Sequence, residues 1–215
     1  MRTLFCSLLL LCTLAVAAQG DSDVYLPGHR KAVSFNPLAL ANYDQMLMPG
    51  MEWRSRRQWS VVADVGIVVN SGYLREENTA GGFALRPALR YYHGRVDGGY
   101  IQMQFQYARV RYKLYDWLGK DCVDGVPAYE RLQHFVYRKQ TFSAAFVAGR
   151  LLELGPHWFV DISAGLGVQQ RVQGLAGGEA CCFVPQTTTF ANRRAQERSL
   201  LPIVPVAAKL VYTMR

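Results

Sequence analysis

The sequence predicts an all-β fold, an eight-stranded antiparallel up-and-down transmembrane β-barrel with a filled polar lumen. Three observations carry that expectation. Eight segments alternate apolar and polar residues with a period of two, the spacing at which successive side chains of a strand point to opposite faces. The connections between the segments alternate short and long, which sends the short turns to one end of a barrel and the long loops to the other. The polar faces carry Gln, Ser, Thr, Gly and a few isolated charges, a set suited to a crowded interior.

The chain opens MRTLFCSLLLLCTLAVAAQG, with Arg2 as a charged start, an apolar run over 4–16 and small residues at Ala15, Val16 and Ala17. This reads as a secretory signal peptide over 1–20, followed by one barrel domain over 21–215. A lone membrane anchor fits less well, because the run is short and ends in a cleavable stretch. Cys12 follows Leu11, where lipoprotein signals carry Gly, Ala or Ser. About 195 remaining residues make a single domain, long enough for a closed barrel. No later segment approaches the roughly 18 unbroken apolar residues of a spanning helix; "VVADVGIVV" is interrupted by Asp64. Entry into a membrane is therefore expected as strands.

The segments follow in chain order. "KAVSFNPLAL" (31–40) sets Val33 and Phe35 against Ser34 and Asn36 and is made irregular by Pro37. "LMPGMEWR" (47–54) sets Leu47, Met51 and Trp53 against Gly50, Glu52 and Arg54. "WSVVADVGIVVN" (59–70) opposes Trp59, Val61, Ala63, Val65, Ile67 and Val69 to Ser60, Asp64, Gly66 and Asn70. "GFALRPALRYY" (82–92) opposes Phe83, Leu85, Leu89 and Tyr91 to Arg86 and Arg90. "GYIQMQFQYARVRYKL" (99–114) places Ile101, Met103, Phe105 and Tyr107 against Gln102, Gln104 and Gln106.

"YRKQTFSAAFVAGR" (137–150) sets Phe142, Ala144 and Phe146 against Thr141 and Ser143. "HWFVDISAGLGVQQRV" (157–172) alternates almost without error, Trp158 to Val168 on one side and Phe159, Asp161, Ser163, Gly165, Gly167, Gln169 and Arg171 on the other. "LLPIVPVAAKLVYTM" (200–214) turns Val204, Val206, Ala208, Leu210 and Tyr212 away from Lys209. No segment shows a sustained 3.6-residue stripe with caps. The short connections are "SRRQ", "HGRVDG" and "LELGP", with the Gly, Pro and polar residues that turns favour. Longer loops are expected at 70–82, 114–136 and 171–199, and a short one at 41–46.

Alternation does not say which face is wet. A soluble lipocalin-like barrel, a periplasmic carrier, would turn its apolar face inward around a ligand and show an outer face rich in Lys, Glu and Thr. Here only 19% of the chain is charged. The polar faces also balance three acids, Glu52, Asp64 and Asp161, against three bases, Arg86, Arg90 and Lys209. Paired inside a lumen, these form a charge network; turned into lipid, a single Arg or Lys at the midplane would cost about 2–4 kcal/mol. Trp53, Trp59, Tyr91, Trp158 and Tyr212 gather at the turn ends, and Tyr112, Tyr115 and Trp117 at the base of a long loop, as interfacial girdles do. The apolar stripe is therefore expected to face lipid.

Signal, strand number, short turns and growing loops resemble the small eight-stranded outer-membrane barrels of the OmpX and OmpA-barrel type. Phrases such as "SFNPLAL", "PGMEWRSRRQWSVVADVG" and "LRPALRYY" are similar to uncharacterised outer-membrane barrel proteins of Bacteroidetes, over 31–214. The resemblance implies residence in the outer membrane of a Gram-negative bacterium. Such families often end their last strand on an aromatic residue, whereas this chain has Tyr212 near its end and Arg215 last. Some small barrels act on lipid A, and the deacylase pattern is His-x-Ser near the rim. His29, His93, His134 and His157 are followed two residues later by Lys31, Arg95, Val136 and Phe159, so no copy exists. The chain is expected to be no enzyme, with a lipid A-modifying activity as the alternative.

An eight-stranded barrel is just wide enough to fill with side chains, which argues against a porin. No CxxC or HExxH spacing appears, so neither a metal nor another cofactor is expected. Cys122 is expected to pair with Cys181 or Cys182 in an oxidising compartment, closing a loop of about 60 residues at a value of about 4 kcal/mol. The net charge of +8 suits anionic surfaces, and in a secreted strand-rich chain these are lipid phosphates, not nucleic acid. Arg109, Arg111 and Lys113 fall on the apolar side of the fifth segment toward its long-loop end. They are expected, with Arg193, Arg194 and Arg198, to contact lipopolysaccharide. The expected role is that of a monomeric structural or interaction barrel in contact with outer-membrane lipids, its loops presented to an extracellular partner.

Overall fold

Antiparallel pairing joins the strands into a ring. The computed structural model describes residues 31–54, 58–72, 78–93, 98–121, 128–176, 182–184 and 196–214. Eleven strands lie among them: β1 (Lys31–Phe35), β2 (Asp44–Leu47), β3 (Pro49–Arg54), β4 (Trp59–Ser71), β5 (Thr79–Tyr92), β6 (Gly99–Lys120), β7 (Tyr129–Glu153), β8 (Trp158–Leu175), β9 (Cys182–Val184), β10 (Gln196–Ile203) and β11 (Val206–Met214). The neighbour order is β8, β11, β1, β3, β4, β5, β6, β7, and β7 pairs with β8 in turn. The fold is all-β with strands in chain-order neighbourhood, as the alternating segments predict. Among the described residues no helix is long and apolar enough to cross a membrane.

Three of the eight expected segments are broken, each at or next to a proline; 47–54 is divided at Met48, before Pro49. Pro37 cannot donate to a ladder; it ends β1 and starts a short 3-10 helix, Pro37–Ala41. Pro205 separates β10 from β11, yet both halves pair with β8, and the Pro205 carbonyl still accepts the Gly165 N–H at 3.0 Å. β2 and β3 likewise pair with successive parts of β4, so the expected short loop at 41–46 is partly strand.

The largest difference from the sequence reading concerns the expected loop 114–136. β6 and β7 run on through it, paired from Gly99↔Arg150 to Lys120↔Tyr129. They form a hairpin that rises beyond the other strands, with β9 added to the free edge of β6 at Trp117–Gly119. Alternation persists there, but the apolar residues have changed faces. Val110, Tyr112, Leu114 and Leu118 are buried while Arg111 and Lys113 are exposed.

Candidate functional site

The polar stripes face the inside of the ring, and at the turn end they meet. Arg90 (β5) sits at the centre, 2% exposed. Its Nη2 donates to Asp161 Oδ2 (β8) at 2.8 Å, its Nη1 to Glu52 Oε2 (β3) at 3.1 Å and to Tyr92 Oη at 3.2 Å, and its Nε to Gln102 Oε1 (β6) at 3.0 Å. Tyr92 donates to Glu52 Oε1 at 2.6 Å, and Tyr100 donates to Asp161 Oδ1. The Arg90 guanidinium lies 3.7 Å from the Tyr100 ring centroid, and that of Arg54 lies 4.2 Å from the Tyr92 ring. Buried charge is tolerated only when paired and hydrogen-bonded, and one Arg fork here satisfies two carboxylates at once.

A second pair lies one layer along. Lys209 Nζ (β11) reaches Asp64 Oδ2 (β4) at 2.6 Å, both side chains buried. Gly50 pairs with Asp64 in register, and a side chain at Gly50 would overlap the Asp64 carboxylate. Gly149 similarly leaves room for the Tyr100 ring. These are positions where glycine is required by close approach. Of the six charged residues singled out in the sequence, Arg86 is the cross-strand partner of Asp64 and donates from Nε to Gln106 at 3.0 Å. Tyr92 and Tyr100 were not among the sequence candidates. The signal was present, since Tyr92 shares strand parity with Arg90, and Tyr100 with Gln102.

Nearer the long-loop end the interior becomes apolar. Ala39, Met46, Met48, Val68, Ala84, Ala108, Val110, Tyr112, Leu114, Leu118 and Tyr137 form one buried cluster. The expected polar lumen thus describes the turn end and the middle, not this layer. One polar group is set into it. Asp44 accepts from Ser71 Oγ at 3.0 Å, from Tyr112 Oη at 2.7 Å and from Lys139 Nζ at 2.7 Å. A register shift between Gln45 and Met46 makes this possible, because a bulge inserts one residue and re-aims those beyond it. Ser71 is thereby buried and Asn70 exposed. Tyr112, expected in an outer girdle, points inward and is fully buried. It was misassigned because the apolar side of the strand changes after Tyr107.

The outer face is an unbroken apolar band. Val65, Ile67, Leu85, Leu89, Ile101, Phe105, Phe146, Ile162, Leu166 and Val206 are all exposed on it. At the turn end it is bordered by Trp53, by Trp59 against Tyr91 and by Trp158 against Tyr212, both pairs with centroids 4.9 Å apart. At the other end Phe83, Tyr107 and Phe142 form a row, with centroids 5.9 and 4.8 Å apart. Nine positions separate these borders on β5, from Tyr91 to Phe83 inclusive. One step beyond Tyr107 and Phe142 the face turns polar in both strands at the same level. Arg109 pairs with Gln140, Arg111 with Arg138 and Lys113 with Val136.

Arg198 is also exposed, beside Gln170, whose side-chain oxygen, turned toward it, accepts from Nε at 2.7 Å. Cys122, Cys181, Arg193, Arg194 and His29 lie outside the described residues. Cys182 is described only as backbone, in register with Gly119 on β6. His93 and His134 are exposed, His134 lying 4.6 Å from the Tyr115 ring, and His157 lies 5.9 Å from the Tyr212 ring. Among the described residues no group of three or more His, Cys, Asp or Glu is placed to hold a metal ion. No protein-family model, curated protein or solved structure matches this chain.

Proposed function

We propose that this protein is a closed outer-membrane β-barrel of the small eight-stranded type. It spans the bilayer with its apolar band, keeps its lumen plugged and presents the β6–β7 hairpin and neighbouring loops outside the cell as a structural or interaction surface. The observation that carries this reading is the exchange of faces at the Tyr107–Arg109 step. Below it the outside is apolar and the inside polar; just above it, over Arg109–Lys113, the outside is basic and the inside apolar. Water alone as solvent selects an apolar interior throughout. Lipid selects an apolar exterior, and a strand that passes from lipid into water loses that requirement, so its outer face can turn polar and its inner face apolar.

Further features support the same reading. Monomeric soluble proteins rarely expose contiguous apolar patches beyond a few hundred Å², whereas this band surrounds the ring. Nine residues between aromatic borders match the 9–11 needed to cross the hydrocarbon layer obliquely, and aromatic girdles border such bands. Among the described residues β7 pairs with β8 and so joins the two ends of the strand order, which supports a closed barrel, since unpaired backbone in lipid costs several kcal/mol per group. Direct bonds across the lumen, from Arg90 to Asp161 and from Lys209 to Asp64, support a plug in preference to a pore.

The test is to refold the chain from 21 onward into detergent micelles and compare unheated with boiled samples on a gel. A mobility shift, with no folded species in plain buffer, is the expected result. A monodisperse folded protein in plain buffer would overturn the membrane assignment and make the apolar surface a site for a soluble ligand.

A further inference from the structure

We propose that the outer wall just above the apolar band is a phosphate-binding clamp for a lipid headgroup, built by Arg111 and Arg138 with Arg109, Lys113 and Gln140. The proposal rests on the membrane reading above and adds a ligand to it. Arg111 and Arg138 are direct cross-strand partners, both exposed on the same face. Directly opposed residues stand about 4.5–5.5 Å apart at Cβ, and like charges there are destabilising. An anion seated between the two would turn that repulsion into attraction.

Among the described residues, the register neighbours of these bases offer no internal anion. On β5 the neighbours of Lys113, Arg111 and Arg109 are Thr79, Gly81 and Phe83. On β8 the neighbours of Arg138 and Gln140 are Gly174 and Val172. None of these is acidic. The carboxylates of Asp44, Glu52, Asp64 and Asp161 are all engaged inside the ring. The Arg109 Nε is buried with no hydrogen-bond partner among the described residues, and Gln140 opposite it adds an amide that can donate. Guanidinium groups bind phosphate through two parallel N–H···O bonds.

Depth decides which phosphate. The clamp begins one register step beyond Tyr107 and Phe142, the aromatic border of the band. From Arg109 to Lys113 is about 13 Å of strand, the zone in which phosphorylated headgroups of the outer leaflet lie. A phosphorylated glycolipid therefore fits better than an acidic protein or a nucleic acid, which would need the same charges higher on the hairpin.

The test uses the full mature chain refolded into phosphatidylcholine vesicles with and without diphosphoryl lipid A. Insertion is followed by gel mobility, and retained lipid is measured after purification in detergent. Wild type should retain diphosphoryl lipid A about tenfold over its dephosphorylated form, and Arg111→Gln/Arg138→Gln should lose about tenfold, the loss of one charged hydrogen-bond set. Arg111→Lys/Arg138→Lys, which keeps charge without the fork, should fall between. Equal retention by inserted Gln variant and wild type overturns the clamp, as does displacement of lipid A by inorganic phosphate at equal concentration. Retention by wild type must also weaken with salt; salt-independent retention overturns the clamp even where the variants do not fold. Failure of wild type to insert at all overturns the membrane reading, and the clamp with it.

Discussion

Arg90 on β5 and Asp161 on β8 meet inside the ring with Nη2 and Oδ2 2.8 Å apart, although their strands do not pair with each other. Hydrogen bonds along the ring fix each strand only to its neighbours. The Arg90 cluster fixes β3, β5, β6 and β8 to one another through the lumen, so it opposes any widening of the turn end.

Replacing Arg90 with Gln should therefore be among the most damaging single changes. It leaves Asp161 buried without its countercharge and Glu52 with Arg54 at 4.0 Å, a loss of about 3–5 kcal/mol for a broken buried pair. Asp161→Asn should cost less, because Arg90 keeps Glu52. The two substitutions combined should cost less than the sum of the singles, since residues in one network couple. Urea unfolding of the micelle-bound protein checks this; additive effects would show that the two residues act independently.

Close approach at Gly50 gives a second expectation. Gly50→Val must displace the Asp64 carboxylate and with it the Lys209 pair, and overpacking of this kind typically costs about 1–3 kcal/mol. Gly81→Val is the matched control, because a Cβ there meets nothing within 4 Å. Unfolding midpoints should fall for the first and stay unchanged for the second. A fall of equal size in both would show that the loss does not come from displacing the carboxylate, since strand propensity alone favours Val over Gly.

Much of this was legible in the sequence because period-two alternation is insensitive to which side is wet. The ring strands from Trp59 through Tyr107 and from Phe142 through Val168 stand where the alternation puts them. The hairpin was not legible, and the reason is physical. From Arg109 to Leu114 the alternation continues with its polarity reversed, and a reversal in mid-strand reads like the end of a strand. Tyr112 was misplaced for that reason. Asp44 was missed for another: it lies in a stretch read as a turn, and its partner Lys139 is 95 residues away. Sequence spacing carries no trace of such a contact, which only the bulge at Gln45 and Met46 brings about.

The exchange of faces predicts that the cost of a charge depends on depth. Ile162→Arg, in the middle of the outer band, should lower stability in a bilayer by about 2–4 kcal/mol. Leu132→Arg, on the hairpin above the step and also exposed, should stay within about 0.5 kcal/mol of wild type, as surface changes usually do. Folding titrations in phosphatidylcholine vesicles measure both. Two neutral substitutions would place Ile162 in water and remove the lipid-facing band.

Asp44 ties the long-loop end together, and its removal should loosen that end alone. Asp44→Ala leaves Lys139, Tyr112 and Ser71 without an acceptor they all share. Each hydrogen bond lost to that carboxylate costs about 0.5–1.5 kcal/mol, more where the donor is charged. Asp44 lies at the bulge in the β2–β4 pairing and holds the buried Ser71 of β4. Amide hydrogen exchange should therefore quicken over β2 and the adjoining end of β4, because local opening follows the loss of local contacts. It should remain slow over Trp59–Asp64 and Trp158–Ser163, where the Arg90 and Lys209 pairs are intact. Uniform acceleration along every strand would show instead that the ring opens as one unit, and that its two ends are not separately held.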